Sequence, residues 1–276
     1  VMTSEKEEPG AWGGIHICGK AHTNAEGGKG SSEIGGAVYG GNDDADNSGT
    51  LQYIRLEYTG FAFDEEHEAN GISFYGVGSG TIVDHCEAYK GSDDGFEFFG
   101  GSVNVSNMVV VSCSDDSFDW TEGWNGKGTD LVAYQEAKAT LGYDCDCLIE
   151  ADNNENDNAA TPVSHPVLKN LILAGNGESK QGIRLRRGTQ ADIDNAKVCG
   201  KGQPLVVESA LTNAALKNGT SKLTNMTVTA ALKSDGDYTN DDFTAVTSNK
   251  VDATLSYTSF DAIKAACAWM KGNWIK

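Results

Sequence analysis

The residues of this chain best equipped for chemistry come in a repeated block. Ser92–Gly101 reads SDDGFEFFGG and Ser114–Gly123 reads SDDSFDWTEG, so Asp93, Asp94, Phe96 and Glu97 recur 22 residues later as Asp115, Asp116, Phe118 and Asp119. GISFY at Gly71–Tyr75, LIEAD at Leu148–Asp152 and GIRLR at Gly182–Arg186 keep the same order of apolar and polar residues. If each block is a strand, side chains alternate across it, and Ile72, Phe96, Phe118, Ile149 and Ile183 point inward while Ser73, Glu97, Asp119, Glu150 and Arg184 point outward. Carboxylates stacked about 5 Å apart repel one another, and protonation, a cation or a neighbouring base relieves the repulsion. Glu97, Asp119 and Glu150 are therefore candidate ligands for calcium, which prefers oxygen donors, with Arg184 as a neighbouring counter-charge. The same four are the candidate catalytic residues: paired carboxylates for hydrolysis, or calcium with Arg184 as base for β-elimination. Asp94, Asp116, Trp120, Trp124 and Arg186 are the expected substrate-binding residues, with Phe99 nearby, because aromatic rings stack on sugar faces while carboxylates accept hydrogen bonds from hydroxyls.

These residues need a scaffold that repeats. A period near 22 residues with short alternating strands and no heptads is the length of one coil of a β-solenoid, in which sequence repeats become physical columns. A second set of strands is expected at Leu51–Tyr58, Ile82–Tyr89, Val103–Cys113, Thr129–Gln135, Val167–Ala174, Ala191–Val198 and Lys222–Ala230. Their alignment puts Tyr53, His85, Asn107, Asp130, Asn170, Asn195 and Asn225 in one column, which reads as a hydrogen-bonded ladder at a bend. Trp12–Ala21 reads as an opening strand and 25–49 as a loop, its Asp43, Asp44 and Asp46 lacking EF-hand spacing. The polar run 151–165 leaves the solenoid and is expected to form a cleft rim. Arg186 is expected to share the face of Arg184 and to meet Asp152. Residues 10–230 are thus expected to form solenoid coils, and 231–276 a loop followed by a helix at Ser259–Met270 that covers the open end.

Composition narrows the function. The 276 residues carry a net charge of −19, which excludes nucleic acid as a partner, since phosphate binding needs a basic surface. No apolar run spans a membrane, and Val1–Pro9 lacks a signal core, so a signal or lipid anchor is expected to lie outside this chain. Seven cysteines are an odd number without zinc-ribbon spacing and read mostly as small core residues, with one or two disulfides as the alternative. Gly 34 against Pro 4 is a turn-rich, all-β composition.

GVGSGT at Gly76–Thr81, the two aspartate-pair blocks, IEADN at Ile149–Asn153 and GIRLRRGT at Gly182–Thr189 resemble a group of uncharacterised bacterial cell-surface lipoproteins of the pectin-lyase-like superfamily. The resemblance covers about residues 12–230. It implies a single-domain, right-handed parallel β-helix and an extracellular or outer-surface location, and carries no activity with it. SDDGF and SDDSF are similar to the aspartate-pair motif of the polygalacturonases, but the Asn-Thr-Asp, Gly-His-Gly and Arg-Ile-Lys segments of those enzymes are missing here. The expectation is an exported β-helix that binds polysaccharide or cell-surface glycan, or acts in adhesion, through an acidic and aromatic face. The alternatives are a polysaccharide lyase or glycoside hydrolase, and an inert scaffold.

Overall fold

The computed structural model describes residues 1–64, 67–178 and 180–276. Its framework is a set of eight-residue strands, Thr50–Glu57, Ile82–Tyr89, Asn104–Val111, Lys127–Tyr134, Val167–Ala174 and Asp192–Cys199. Each is followed by a shorter one: Ile72–Tyr75, Phe96–Phe99, Phe118–Thr121, Ile149–Ala151, Gln181–Leu185 and Gln203–Val207. Every one of these pairs in parallel with its equivalent in the next coil, which builds one nine-stranded and one eight-stranded sheet. The chain is a right-handed parallel β-helix, as the repeats require. Ile15–Cys18 opens the short-strand sheet by pairing with Ile72–Tyr75, and the one antiparallel pair among the described residues is the hairpin of Gly30–Ser31 with Val38–Tyr39, inside the segment read as a loop.

Each long strand bends in its middle at a residue with positive φ: Tyr53, His85, Asn107, Asp130, Asn170, Asn195, and Asn225 in the last coil, all between 53° and 60°. Asn and Asp tolerate this left-handed geometry best. The expected ladder forms in part. Asn195 Nδ2 donates to Asn170 Oδ1 at 2.9 Å and Asn170 Nδ2 to Asp130 Oδ1 at 3.0 Å, whereas Asn107 turns to Asp84 and Tyr53 stacks on His85.

The inward column is buried throughout: Ile72, Phe96, Ile149 and Ile183 are 0% exposed and Phe118 is 2% exposed. Phe74, Phe98 and Trp124 stack on one another with ring centroids 5.0 and 4.0 Å apart. Coil pairing continues past Ala230, through Lys233–Ser234 and Lys250–Val251, and Tyr238 and Phe243 join the main core beside these last strands. The terminal helix exists as Phe260–Ala266, but it does not cover the open end. Ile263, Cys267, Met270 and Trp274 lie on the outer face of the long-strand sheet against Val109, Val111, Val132, Ala174 and Cys199. Those strands are apolar on both faces, so the outer stripe needs a cover as much as the end does. All seven cysteines are free, and all but Cys18 are buried. Among the described residues no helix is long and apolar enough to cross a membrane.

Candidate functional site

The register of the short-strand sheet brings the outward residues together. Ser73 faces Glu97, Glu97 faces Asp119, Asp119 faces Glu150 and Glu150 faces Arg184 on successive coils. Two further rows run beside this one. Gly71 N donates to Asp94 O, Gly95 N to Asp116 O and Ser117 N to Cys147 O, which aligns Asn70, Asp94, Asp116 and Cys147. One position earlier, Asp93, Asp115 and Asp146 align, and Asp146 N donates to Asp115 O at 3.2 Å. The acidic block is therefore three coils tall. It gives way to Asn70 and Ser73 on one side and to Lys180 and Arg184 on the other, Lys180 Nζ lying 3.5 Å from Asp146.

These rows floor a cleft of about 390 Å³ lined, among the described residues, by ten carboxylates, Glu33, Glu68, Asp93, Asp94, Glu97, Asp115, Asp116, Asp119, Asp146 and Glu150, and by two cations, Arg184 and Arg186. Glu33 arrives on the turn of the hairpin, held by the Tyr75 hydroxyl at 3.0 Å, and Glu68 lies shortly before the strand Ile72–Tyr75. In the middle row one oxygen of each aspartate is committed to the scaffold: Asp116 N donates to Asp94 Oδ1 at 2.8 Å and Cys147 N to Asp116 Oδ1 at 2.5 Å. Glu97 accepts from Asn70 Nδ2 at 2.6 Å, and Asp119 accepts no hydrogen bond among the described residues.

Loss of water and mutual repulsion push these acids toward the neutral form. Burial first, then the neighbouring carboxylates, hold Asp94, Glu97, Asp116 and Asp119 well above the usual carboxylate range. The same causes push Asp93 up to about 7 and raise Asp115. Burial also raises Glu150, with Arg186 and Arg184 opposing it.

Both arginines are occupied. Arg184 donates to Glu150 at 3.1 Å and to Glu208 at 3.0 Å, while Arg186 donates to Asp152 at 2.7 Å, as expected, and contacts Glu150. Hydrogen bonds and the facing carboxylates raise the pKa of Arg184 despite its partial burial. A base must first lose its proton, and this pairing opposes that loss.

Glu97, Asp119, Glu150, Arg184, Asp94, Asp116 and Arg186 all line the cleft, but Trp120 and Trp124 do not. Each tryptophan is 1% exposed, with its indole N–H satisfied inside by Thr189 Oγ1 and Val103 O respectively. Trp120 lies one position after Asp119, a member of the outward column, so strand alternation turns it into the core. Phe99 is 8% exposed and packs with Tyr39 and Tyr75, lining a neighbouring cavity together with Asn154, Glu155 and Asn156 from the 151–165 excursion. Sequence reasoning missed Glu33, Glu68, Asp93, Asp115 and Asp146 as site residues. The last three were available from the repeat itself, since DDGF, DDSF and DCLI superimpose; Glu33 and Glu68 lie on loops with no repeat to place them.

Among the described residues, two all-oxygen groups bring ligand atoms within 4.8 Å of one another: Asp94, Glu97 and Asp119, and Asp93, Asp94 and Asp115. Such donors suit a hard cation such as calcium. Glu150 falls instead with Asp116 and Cys147, a set that includes a thiol, and its carboxylate already faces two guanidiniums. Asp43, Asp44 and Asp46 accept hydrogen bonds from Ala45 N, from His22 and from Lys20 N and Ser48, as turn-capping residues do.

No curated protein and no solved structure matches the chain. The family model described as a pectate-lyase-like β-helix domain matches residues 1–276, and the chain belongs to that family.

Proposed function

We propose that this β-helix binds carbohydrate at the cell exterior through the acidic cleft, with calcium as the counter-ion that lets the carboxylates ionise side by side. The observation that carries the reading is the block of ten carboxylates lining one cleft whose two arginines are both paired. Asp94, Glu97 and Asp119 hold the ion in this reading, with Asp93 and Asp115 beside them. Calcium takes about six to eight oxygens, so positions are left over for sugar hydroxyls. The kinship with pectate-lyase-like domains and the resemblance to surface lipoproteins support a polysaccharide partner and an exported setting.

Cleavage is the second reading, and one feature favours its hydrolytic form: burial and mutual repulsion push Glu97 and Asp119, on neighbouring coils, toward the neutral form that a general acid needs. Elimination with Arg184 as base is opposed by the two carboxylates that hold its proton.

Calorimetric titration of chelator-treated protein with calcium, then with a polysaccharide panel, tests the proposal. Calcium is expected to bind, and Glu97→Gln with Asp119→Asn to weaken it at least about ten-fold. Polysaccharide is expected to bind only with calcium present. New reducing ends in the bound fraction would move the assignment to hydrolysis. No heat from either calcium or glycan would refute it.

A further inference from the structure

The tryptophans expected to meet a sugar are in the core, and a different aromatic pair stands outside. Phe61 and Phe63 are 43% and 64% exposed, with their rings 5.0 Å apart and edge to face. Two phenyl rings left in water forgo the burial that drives aromatic side chains inward, and exposed apolar pairs mark contact surfaces more often than isolated residues do.

The loop that carries them is tied to the cleft at both ends. At its start, Ser92, the residue before Asp93, donates from Oγ to Gly60 O at 2.5 Å and from its amide to Thr59 O at 3.0 Å. At its end, Glu68 lines the cleft and acts electrostatically on Asp93 and Asp115. Phe61 N donates to Trp12 O at 3.2 Å and Phe63 N to His67 O at 2.9 Å, which brings the backbone of Phe63 beside that of His67, the residue before Glu68. The pair is therefore flanked on both sides by residues that reach the Asp93 row, Gly60 through Ser92 and Glu68 directly.

We propose that Phe61 and Phe63 form an aromatic step that receives the apolar face of a pyranose ring whose hydroxyls reach Glu68 and Asp93. This rests on the carbohydrate reading above and adds the contact that orients the sugar. A pyranose presents C–H bonds on one face and hydroxyls around its edge, so it is recognised by a ring beside carboxylates. A bare cation needs only the carboxylates. The step thus separates recognition of sugar from retention of metal.

Calorimetry in calcium buffer tests this with cellohexaose, a glucosamine hexamer, its N-acetylated counterpart and a galacturonate hexamer, on the unmodified protein and on Phe61→Ala/Phe63→Ala. Affinity for whichever hexamer the unmodified protein binds is expected to fall about ten-fold in the double variant. Phe61→Tyr/Phe63→Tyr, which keeps the ring faces, is expected to restore it. Calcium affinity and melting temperature are expected to stay unchanged, because neither ring is buried. Equal hexamer binding by the alanine variant would overturn the aromatic step and leave the carbohydrate reading standing. Loss of calcium affinity in that variant would overturn the step as well, by making the loop part of the metal site. Failure of the unmodified protein to bind any hexamer would overturn both.

Discussion

Asp93 is 9% exposed and faces Asp115 on the next coil, so ionising it costs both hydration and repulsion. Its carboxyl titrates near 7 in the folded chain against an ordinary value of 3.8. A folded pKa above the unfolded one means that the native state holds the proton longer, so the stability it contributes is full below 3.8 and is lost as pH rises through about 7. Asp94, Glu97, Asp116 and Asp119 shift in the same direction. Thermal melts in chelator are expected to show a melting temperature that falls between about pH 4 and pH 8, and excess calcium to flatten that slope by replacing the protons. Glu97→Gln, which removes one ionisable group from the stack, is expected to raise the melting temperature at about pH 8 without calcium while weakening calcium binding. A flat profile in chelator would show that water reaches these carboxylates freely.

A strand in this fold serves two masters. Phe118 and Trp120 are core while Asp119 between them lines the cleft, so the residues that set the register of the stack also aim the acids. Trp124 shows how far packing outweighs recognition: it is 1% exposed and its ring lies 4.0 Å from that of Phe98. Trp124→Ala is expected to destabilise the chain by about 3–5 kcal/mol, measured by urea unfolding, through the cavity it leaves. The protein that remains folded is expected to keep its affinity for calcium. A variant of native stability with weakened ligand binding would put the indole back at the surface.

On the scale of the whole molecule the two sheets have different work. The short-strand sheet carries the cleft, and the long-strand sheet carries the C-terminal segment on its outer face. That segment is anchored by Ile263, at 0% exposed, and by Lys276, whose amide donates to Glu87 Oε2 at 2.8 Å. Burial raises that Glu87 carboxyl to about 8. Ile263→Asp is expected to cost about 2–5 kcal/mol and to expose Val109, Val111 and Val132, read as increased binding of an apolar dye. Calcium titration of the same variant is expected to be unchanged, since the cleft belongs to the other sheet. A coupled loss would show that the two faces communicate.

The repeat of Phe96-Glu97 in Phe118-Asp119 and Ile149-Glu150 determined the solenoid, its inward stack and its outward column, because strand alternation has a period of two and parallel pairing superimposes equivalent residues. The left-handed column from Tyr53 to Asn225 was legible for the same reason: polar residues recurring at one place mark a bend. Tertiary structure alone decided which aromatics face water, since Trp120 and Trp124 leave the strand toward the core while Phe61 and Phe63 are carried out on a loop. It also decided that Glu33 and Glu68 join the acids, that Arg184 and Arg186 are already paired, and that the last helix lies on a flank. Loops and terminal segments have no repeat to set their register; they settle where the folded coils leave apolar surface or hydrogen-bonding groups to cover.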